Sequence, residues 1–290
     1  MGSKSLAKLK GEMLFNADLT RLVDVMKGIS TSQYFVIDRR RTHTEKITDV
    51  IESMFKIYDF RNSTHPFVRM ENQKRLIGVV ATDSGFTGGL NMKVAQAAFK
   101  LEQGGSFYYT LGERGSTYLK EFAKPHQPFP GISPDETRFR LATELTAYLL
   151  KEVLRGSFGH VILVYPRALN FSSQRVESLN LIPCPLFFKD RDPNTIASAA
   201  EQAKKVILET PVEGIIEYLT AVWIRKRLIE VFEQAKLAEF GARTMHLEGS
   251  YQTLTKDDKQ LRLQFFKARR EKIDQSLRET FTSQLLCNRK

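Results

Sequence analysis

Proline is missing from residues 1–65 and again from 212–290, because all ten prolines of this 290-residue chain lie between Pro66 and Pro211. Proline costs about 3 kcal/mol inside a helix, so segments that stay helical for many turns exclude it, whereas turn-rich α/β segments use it freely. The absence predicts two long terminal helices around a compact middle. At about 1.5 Å per residue, a fully helical back segment spans more than roughly 100 Å, well beyond the diameter of a small domain. Cysteine is scarce as well. Cys184 and Cys287 lie far apart with no histidine at ligand spacing, which excludes a disulfide framework and a zinc site. No run of about 20 apolar residues occurs, and Met1-Gly-Ser-Lys-Ser5 lacks a cationic segment followed by an apolar one. The expectation is a protein of a reducing compartment, soluble or attached peripherally to a membrane, without a span of its own.

What is present is ordinary for a folded protein, with 42% apolar and 27% charged residues. The net charge of +11 is diffuse: Lys and Arg exceed Asp and Glu by 3 before Pro66, by 4 up to Pro211 and by 4 after it. No segment is a basic arm and no recognition motif accompanies the charge, so no nucleic-acid partner is expected. The five histidines are scattered without ligand spacing and no serine sits in a nucleophile elbow, which leaves no catalytic constellation, cofactor or metal to expect.

Both terminal segments carry helical seams. In the first, Leu19, Leu22, Met26, Ile29 and Val36, then Ile47, Ile51, Met54 and Tyr58, follow steps of three and four, with Gln33, Arg40 and Thr44 as interruptions. In the last, Leu247, Leu254, Leu261 and Ala268 recur every seven residues, with Tyr251 and Phe265 on the neighbouring step. The economical solution is one long antiparallel coiled coil of the N- and C-terminal helices; a homodimeric coiled coil is the alternative. Asp258 and Lys272 at nominally buried steps imply that parts of the rod face water or a partner. Gly28-Ile-Ser-Thr-Ser32 gathers poor helix formers, and reads either as a zone of close approach or as a weak spot.

The middle opens like an α/β unit. Leu76–Ala81 reads as a strand, Thr82-Asp-Ser-Gly-Phe-Thr-Gly-Gly-Leu-Asn91 as a glycine loop, and Val94, Ala97, Ala98 and Leu101 as a helix face. Ser106–Leu111 and Val161–Tyr165 read as further strands, Thr137–Leu154 as an amphipathic helix, and Asn170–Leu181 as an edge strand. The loop matches neither a P-loop nor a dinucleotide fingerprint, so glycines serving tight backbone geometry are favoured over a phosphate cradle. The fold class is α/β: a small Rossmann-like domain over residues 66–210, between coiled-coil helices over 1–65 and 211–290.

These residues resemble the gamma subunit family of F-type ATP synthases. The glycine loop is similar to that family's Ser-Asp-Arg-Gly-Leu-Cys-Gly-Gly-x-Asn, with Asp83, Gly85, Gly88, Gly89 and Asn91 in register. Leu22 to Met26-Lys27 looks like its Ile-Thr-Lys-Ala-Met-Lys helix, Leu111–Gly115 like its Val-Gly-Arg-Lys-Gly turn, and Glu209–Glu213 like its Glu-Pro-Ser segment before the last helix. Glu239 with Ala242-Arg243 matches its Ser-Glu-x-x-Ala-Arg-Met stretch, and Leu261–Arg270 its Leu-x-Leu-x-Tyr-Asn-Lys-Ala-Arg-Gln signature. The departures are Gly28–Gln33 for Met-Val-Ala-Ala-Ala-Lys, Thr87 for cysteine, Phe266 for asparagine and Arg270 for glutamine. His246–Gly249 is similar to a segment of the family's sodium-motive relatives.

The resemblance implies a non-catalytic rotor shaft that couples ion flow to ATP synthesis or hydrolysis. Its partners are the alpha and beta subunits of the catalytic hexamer, an epsilon-type subunit and the membrane c-ring, and it sits peripherally on the cytoplasmic face of a bacterial inner membrane. Met26, Lys27, Lys267, Arg269 and Arg270 fall where the family meets its hexamer; Asp83, Gly85, Gly88, Gly89, Asn91, Glu239 and Arg243 are motif positions with structural roles. The rival reading is a freestanding α/β nucleotide-binding protein or enzyme with a coiled-coil dimerisation arm.

Overall fold

The computed structural model describes residues 5–40, 63–69, 71–133, 135–185 and 211–287. The expected seam residues Ile47, Ile51, Met54 and Tyr58, and Glu209 of the segment before the last helix, lie outside them. The element order is α1 (Leu6–Arg40), β1 (Arg75–Val80), α2 (Leu90–Phe99), β2 (Phe107–Leu111), α3 (Glu113–Glu121), β3 (His126–Phe129), α4 (Thr137–Leu154), β4 (His160–Ala168), β5 (Gln174–Ile182) and α5 (Val212–Cys287). The chain divides into two compact units, Thr31–Arg243 and Met1–Ser30 with Thr244–Lys290.

The larger unit is a five-stranded sheet in the order β3-β2-β1-β4-β5. Its first four strands are parallel, and β5 returns antiparallel on β4. Burial of strands on both faces explains why Leu76–Val80 reads as an unbroken apolar run. The pleat sends Leu76, Val80, Tyr109, Leu111, Val161 and Leu163 to one face, where α4 and the 216–235 stretch of α5 cover them. Ile77, Val79, Tyr108 and Val164 go to the other face, against Val94 and Ala98 of α2 and Leu119 of α3. Helix α4 presents Leu141, Leu145, Leu149 and Val153 at steps of four to that first core. Gly78 lies beneath Tyr109, and a Cβ there stands 2.3 Å from the Tyr109 ring and 2.6 Å from Leu163. Only glycine lets that ring lie across β1.

Two elements were not read from the sequence. Helix α3 follows directly from the Leu111–Gly115 segment taken for a turn, and the short β3 carries Pro128, a residue a sheet accepts at its edge. The other edge strand, β5, is guarded by charge: Glu177 pairs with Arg167 and Arg175.

The smaller unit is an antiparallel pair of helices. Asn16 donates from Nδ2 to the Leu254 carbonyl at 3.0 Å, and Lys27 reaches Glu248 at 3.1 Å, so contacts run down α5 as they run up α1. On α5 the expected face is the inward one: Leu247 is buried, and Tyr251, Leu254, Asp258, Leu261, Phe265 and Ala268 are half-buried. On α1 the expected face is right only in part: Leu19 and Met26 are half-buried, and the rest of it is exposed. Leu22 and Ile29 are 56% and 53% exposed, and Val36, further along the helix, is 47% exposed; the buried heptad is Leu9, Asn16, Val23 and Ser30. Leu14, Phe15 and Val25 join the exposed set, so an apolar stripe of α1 faces outward. Gly28 admits no close approach, because a Cβ there meets nothing within 4 Å; the small residue the seam uses is Ser30, 3% exposed.

Candidate functional site

In open α/β sheets ligands enter at the carboxyl ends of the strands, where the strand order reverses. Here that switch point lies between β1 and β4. It is filled by the chain itself. Ala168 at the end of β4 and Leu90 after the β1 loop are buried with Tyr34 and Ile37 of α1 and Leu237, Ala238, Phe240 and Ala242 of α5. Phe171 stacks on Phe35 at 5.8 Å and meets Tyr34 edge-on at 4.9 Å. Gly241 is needed for this seat, since a Cβ there stands 2.6 Å from the Phe171 carbonyl oxygen.

The glycine loop is bolted into the same place. The Asn91 side chain accepts from the Thr82 amide at 3.1 Å and donates to the Thr82 hydroxyl at 2.9 Å, closing the loop on itself. Asp83 accepts from the Glu113 amide at 3.0 Å and so joins the loop to the first turn of α3. Gly88 and Gly89 take positive φ of 58° and 81°, the left-handed conformation glycine adopts without penalty. Arg243 then closes the assembly. Its guanidinium donates to Ser84 Oγ at 2.6 Å, to the Gly85 carbonyl at 3.3 Å and to Glu239 at 2.6 Å, while Lys236 holds the other Glu239 oxygen at 2.7 Å. Glu239 and Arg243 are 4% and 8% exposed. The motif residues Asp83, Gly85, Asn91, Glu239 and Arg243, far apart in sequence, thus meet in one joint between loop and shaft. Ser84 and Lys236 complete it and were not foreseen, although Lys236, Glu239 and Arg243 stand out as one charged stripe in an apolar stretch.

The remaining candidates lie in the helical pair. Lys27 points inward: its ammonium sits 3.0 Å from Asp24, 3.1 Å from Glu248 and 4.4 Å above the Tyr251 ring. Asp24 first and Glu248 second raise its pKa above the ordinary lysine value, and Gln252, then Lys27, hold Glu248 below the ordinary carboxylate value. Met26 is half-buried, and Lys267, Arg269 and Arg270 are exposed. Every residue from Glu271 to Gln284 is exposed, including Ile273, Leu277 and Phe281 at 49%, 52% and 64%. Among the described residues no helix is long and apolar enough to cross a membrane.

Among the described residues the switch point is packed with side chains of the chain itself. The arrangement has an internal joint and two outward apolar stripes. The ATP synthase family model matches residues 5–283. The chain is 22% identical over 286 residues to the ATP synthase gamma chain of Geotalea uraniireducens, covering 95% of this chain and 96% of that one. It is 23% identical over 290 residues to that of Geobacter metallireducens, with the same coverage. Its fold is similar to a chain in the Euglena gracilis mitochondrial ATP synthase OSCP/F1/c-ring structure, at TM-score 0.72 and 17% identity over 98% of this chain and 95% of that one. A chain in the rotor structure of the same enzyme gives TM-score 0.68 at 16% identity, over 94% and 100%.

Proposed function

The chain belongs to the gamma-chain family of ATP synthases, the central rotor stalk without a catalytic site of its own, and from that premise we propose how its surfaces work. The helical pair turns inside a ring of alpha and beta subunits, and the α/β unit is the foot that holds an epsilon-type subunit and the c-ring. The c-ring carries the ion, proton or sodium, across a bacterial inner membrane on whose cytoplasmic face this chain sits; the bacterial relatives support that setting.

The observation that carries the reading is the bare stretch of α5 after Ala268. A lone helix of this kind is marginal in water, and its exposed Ile273, Leu277 and Phe281 call for an enclosing partner. The two helices also offer different chemistry to that partner. Helix α1 presents Leu14, Phe15, Leu22, Val25 and Ile29 with Met26 beside them, whereas α5 presents Lys267, Arg269 and Arg270 beside Leu263 and Phe266. A shaft whose sides differ meets each catalytic interface with a different contact, and only such differential contact shifts nucleotide affinity from one interface to the next. Of the five residues expected at these contacts, Met26, Lys267, Arg269 and Arg270 are proposed to make them, whereas Lys27 is engaged by Asp24 and Glu248 within the pair.

Co-expression with the alpha and beta subunits of its own complex tests the reading. The full chain copurifies with them and stimulates their ATP hydrolysis; a chain that neither copurifies nor alters hydrolysis sinks it.

A further inference from the structure

The fully buried heptad of α1 in the helical pair is half polar. Between Leu6 and Ser30 the buried positions of α1 are Leu9, Asn16, Val23 and Ser30, and only two of these are apolar. Between Val23 and Ser30 no apolar residue of α1 is fully buried, Met26 being half-buried, and the poor helix formers Gly28–Ser32 begin there. Lys27 stands in that section. It joins a carboxylate of its own helix, Asp24, to a carboxylate and a ring of the other, Glu248 and Tyr251. Gln252 holds the second Glu248 oxygen at 2.8 Å, so the acceptor is fixed before the lysine arrives. The lysine side chain is 23% exposed while Glu248 and Asp24 are 38% and 56% exposed, so solvent screens the ion pairs in part and the lysine's share rests on its several partners together. A cation over an aromatic face adds attraction that neither a methyl group nor an amide reproduces.

We infer that Lys27 is an internal strut, a positioning residue that holds α1 on α5 between Val23 and Ser30 and so fixes where Leu22, Val25 and Ile29 stand on the outer face. The fixing of the outer face for a partner rests on the shaft reading; the strut itself does not. Without the ammonium, α1 opens locally while the rest of the chain stays folded, because local opening follows local contact density rather than global stability.

Hydrogen exchange on the full chain measures this. In Lys27→Met the amides of residues 22–30 exchange about tenfold faster or more than in the wild type, and Lys27→Arg stays near the wild-type rate. Glu248→Gln, a change on the other helix, reproduces the acceleration and guards against a folding defect peculiar to the Met variant. Exchange unchanged in both Lys27→Met and Glu248→Gln overturns the strut. In the assembled complex Lys27→Met lowers ion pumping per ATP hydrolysed about twofold or more, with hydrolysis retained and Lys27→Arg restoring the ratio. Faster exchange with an unchanged pumping ratio overturns the positioning role. Failure of the wild-type chain to assemble counts against the shaft alone, since the exchange result stands without partners.

Discussion

Replacing Arg243 by methionine keeps most of the stem and removes the guanidinium, which isolates its hydrogen bonds from the packing of the side chain. Three acceptors then lose a donor: Ser84 Oγ, the Gly85 carbonyl and one oxygen of Glu239. Removing one partner of a buried ion pair costs about 3–5 kcal/mol, mainly because the other charge stays buried. Here Lys236 still holds Glu239 at 2.7 Å, which places the loss near the lower end, about 3 kcal/mol. For a chain of this size that is a fall in Tm of roughly 6–12 °C. Lysine at 243 keeps the charge but not the fork that serves Ser84 and Glu239 together, so it recovers about half. Urea unfolding of the full chain followed by circular dichroism gives the free energies. A double-mutant cycle with Glu239→Gln yields a coupling energy of roughly 2 kcal/mol. A single-variant loss below about 0.5 kcal/mol, with exchange in residues 82–91 unchanged, would falsify the joint as a stabilising element.

Three further outcomes follow from other parts of the molecule. Gly78→Ala destabilises by about 3 kcal/mol or more through overpacking, while Tyr109→Phe is neutral or stabilising because the buried Tyr109 hydroxyl has no hydrogen-bond partner among the described residues; calorimetry separates the two. The Glu248 carboxyl, its pKa lowered by Gln252 and then Lys27, titrates by NMR below its ordinary 4.5. Its contribution is therefore present above that value and lost as pH falls through the folded-state midpoint, and Lys27→Met raises the midpoint only in part because Gln252 remains. Arg269→Ala lowers the pumping ratio of the assembled complex and leaves Tm unchanged, since the side chain is exposed; an unaltered ratio removes Arg269 from the partner surface.

The sequence made the sheet legible because strands buried on both faces leave continuous apolar runs, and it made α5 legible because Leu247, Leu254 and Leu261 repeat at seven. It misled on α1 for a physical reason. Counting apolar residues passes over Asn16 and Ser30, which alternate with Leu9 and Val23 in the buried heptad, while Leu22, Val25 and Ile29 are kept outside. Helix α3 was missed because Glu113–Glu121 carries only Leu119 toward the core besides Gly115. The joint was legible only as a set of family positions; that Arg243 grips Ser84 and Gly85 is a long-range fact that no local pattern encodes.

The filled switch point has a consequence for how this chain is governed. An open crevice at the strand ends lets a metabolite address a protein directly, and here Phe240, Ala242 and Phe171 occupy that address permanently. A change in nucleotide level therefore reaches this subunit at that point only as force from its neighbours. At that point the subunit is built to answer mechanics rather than concentration.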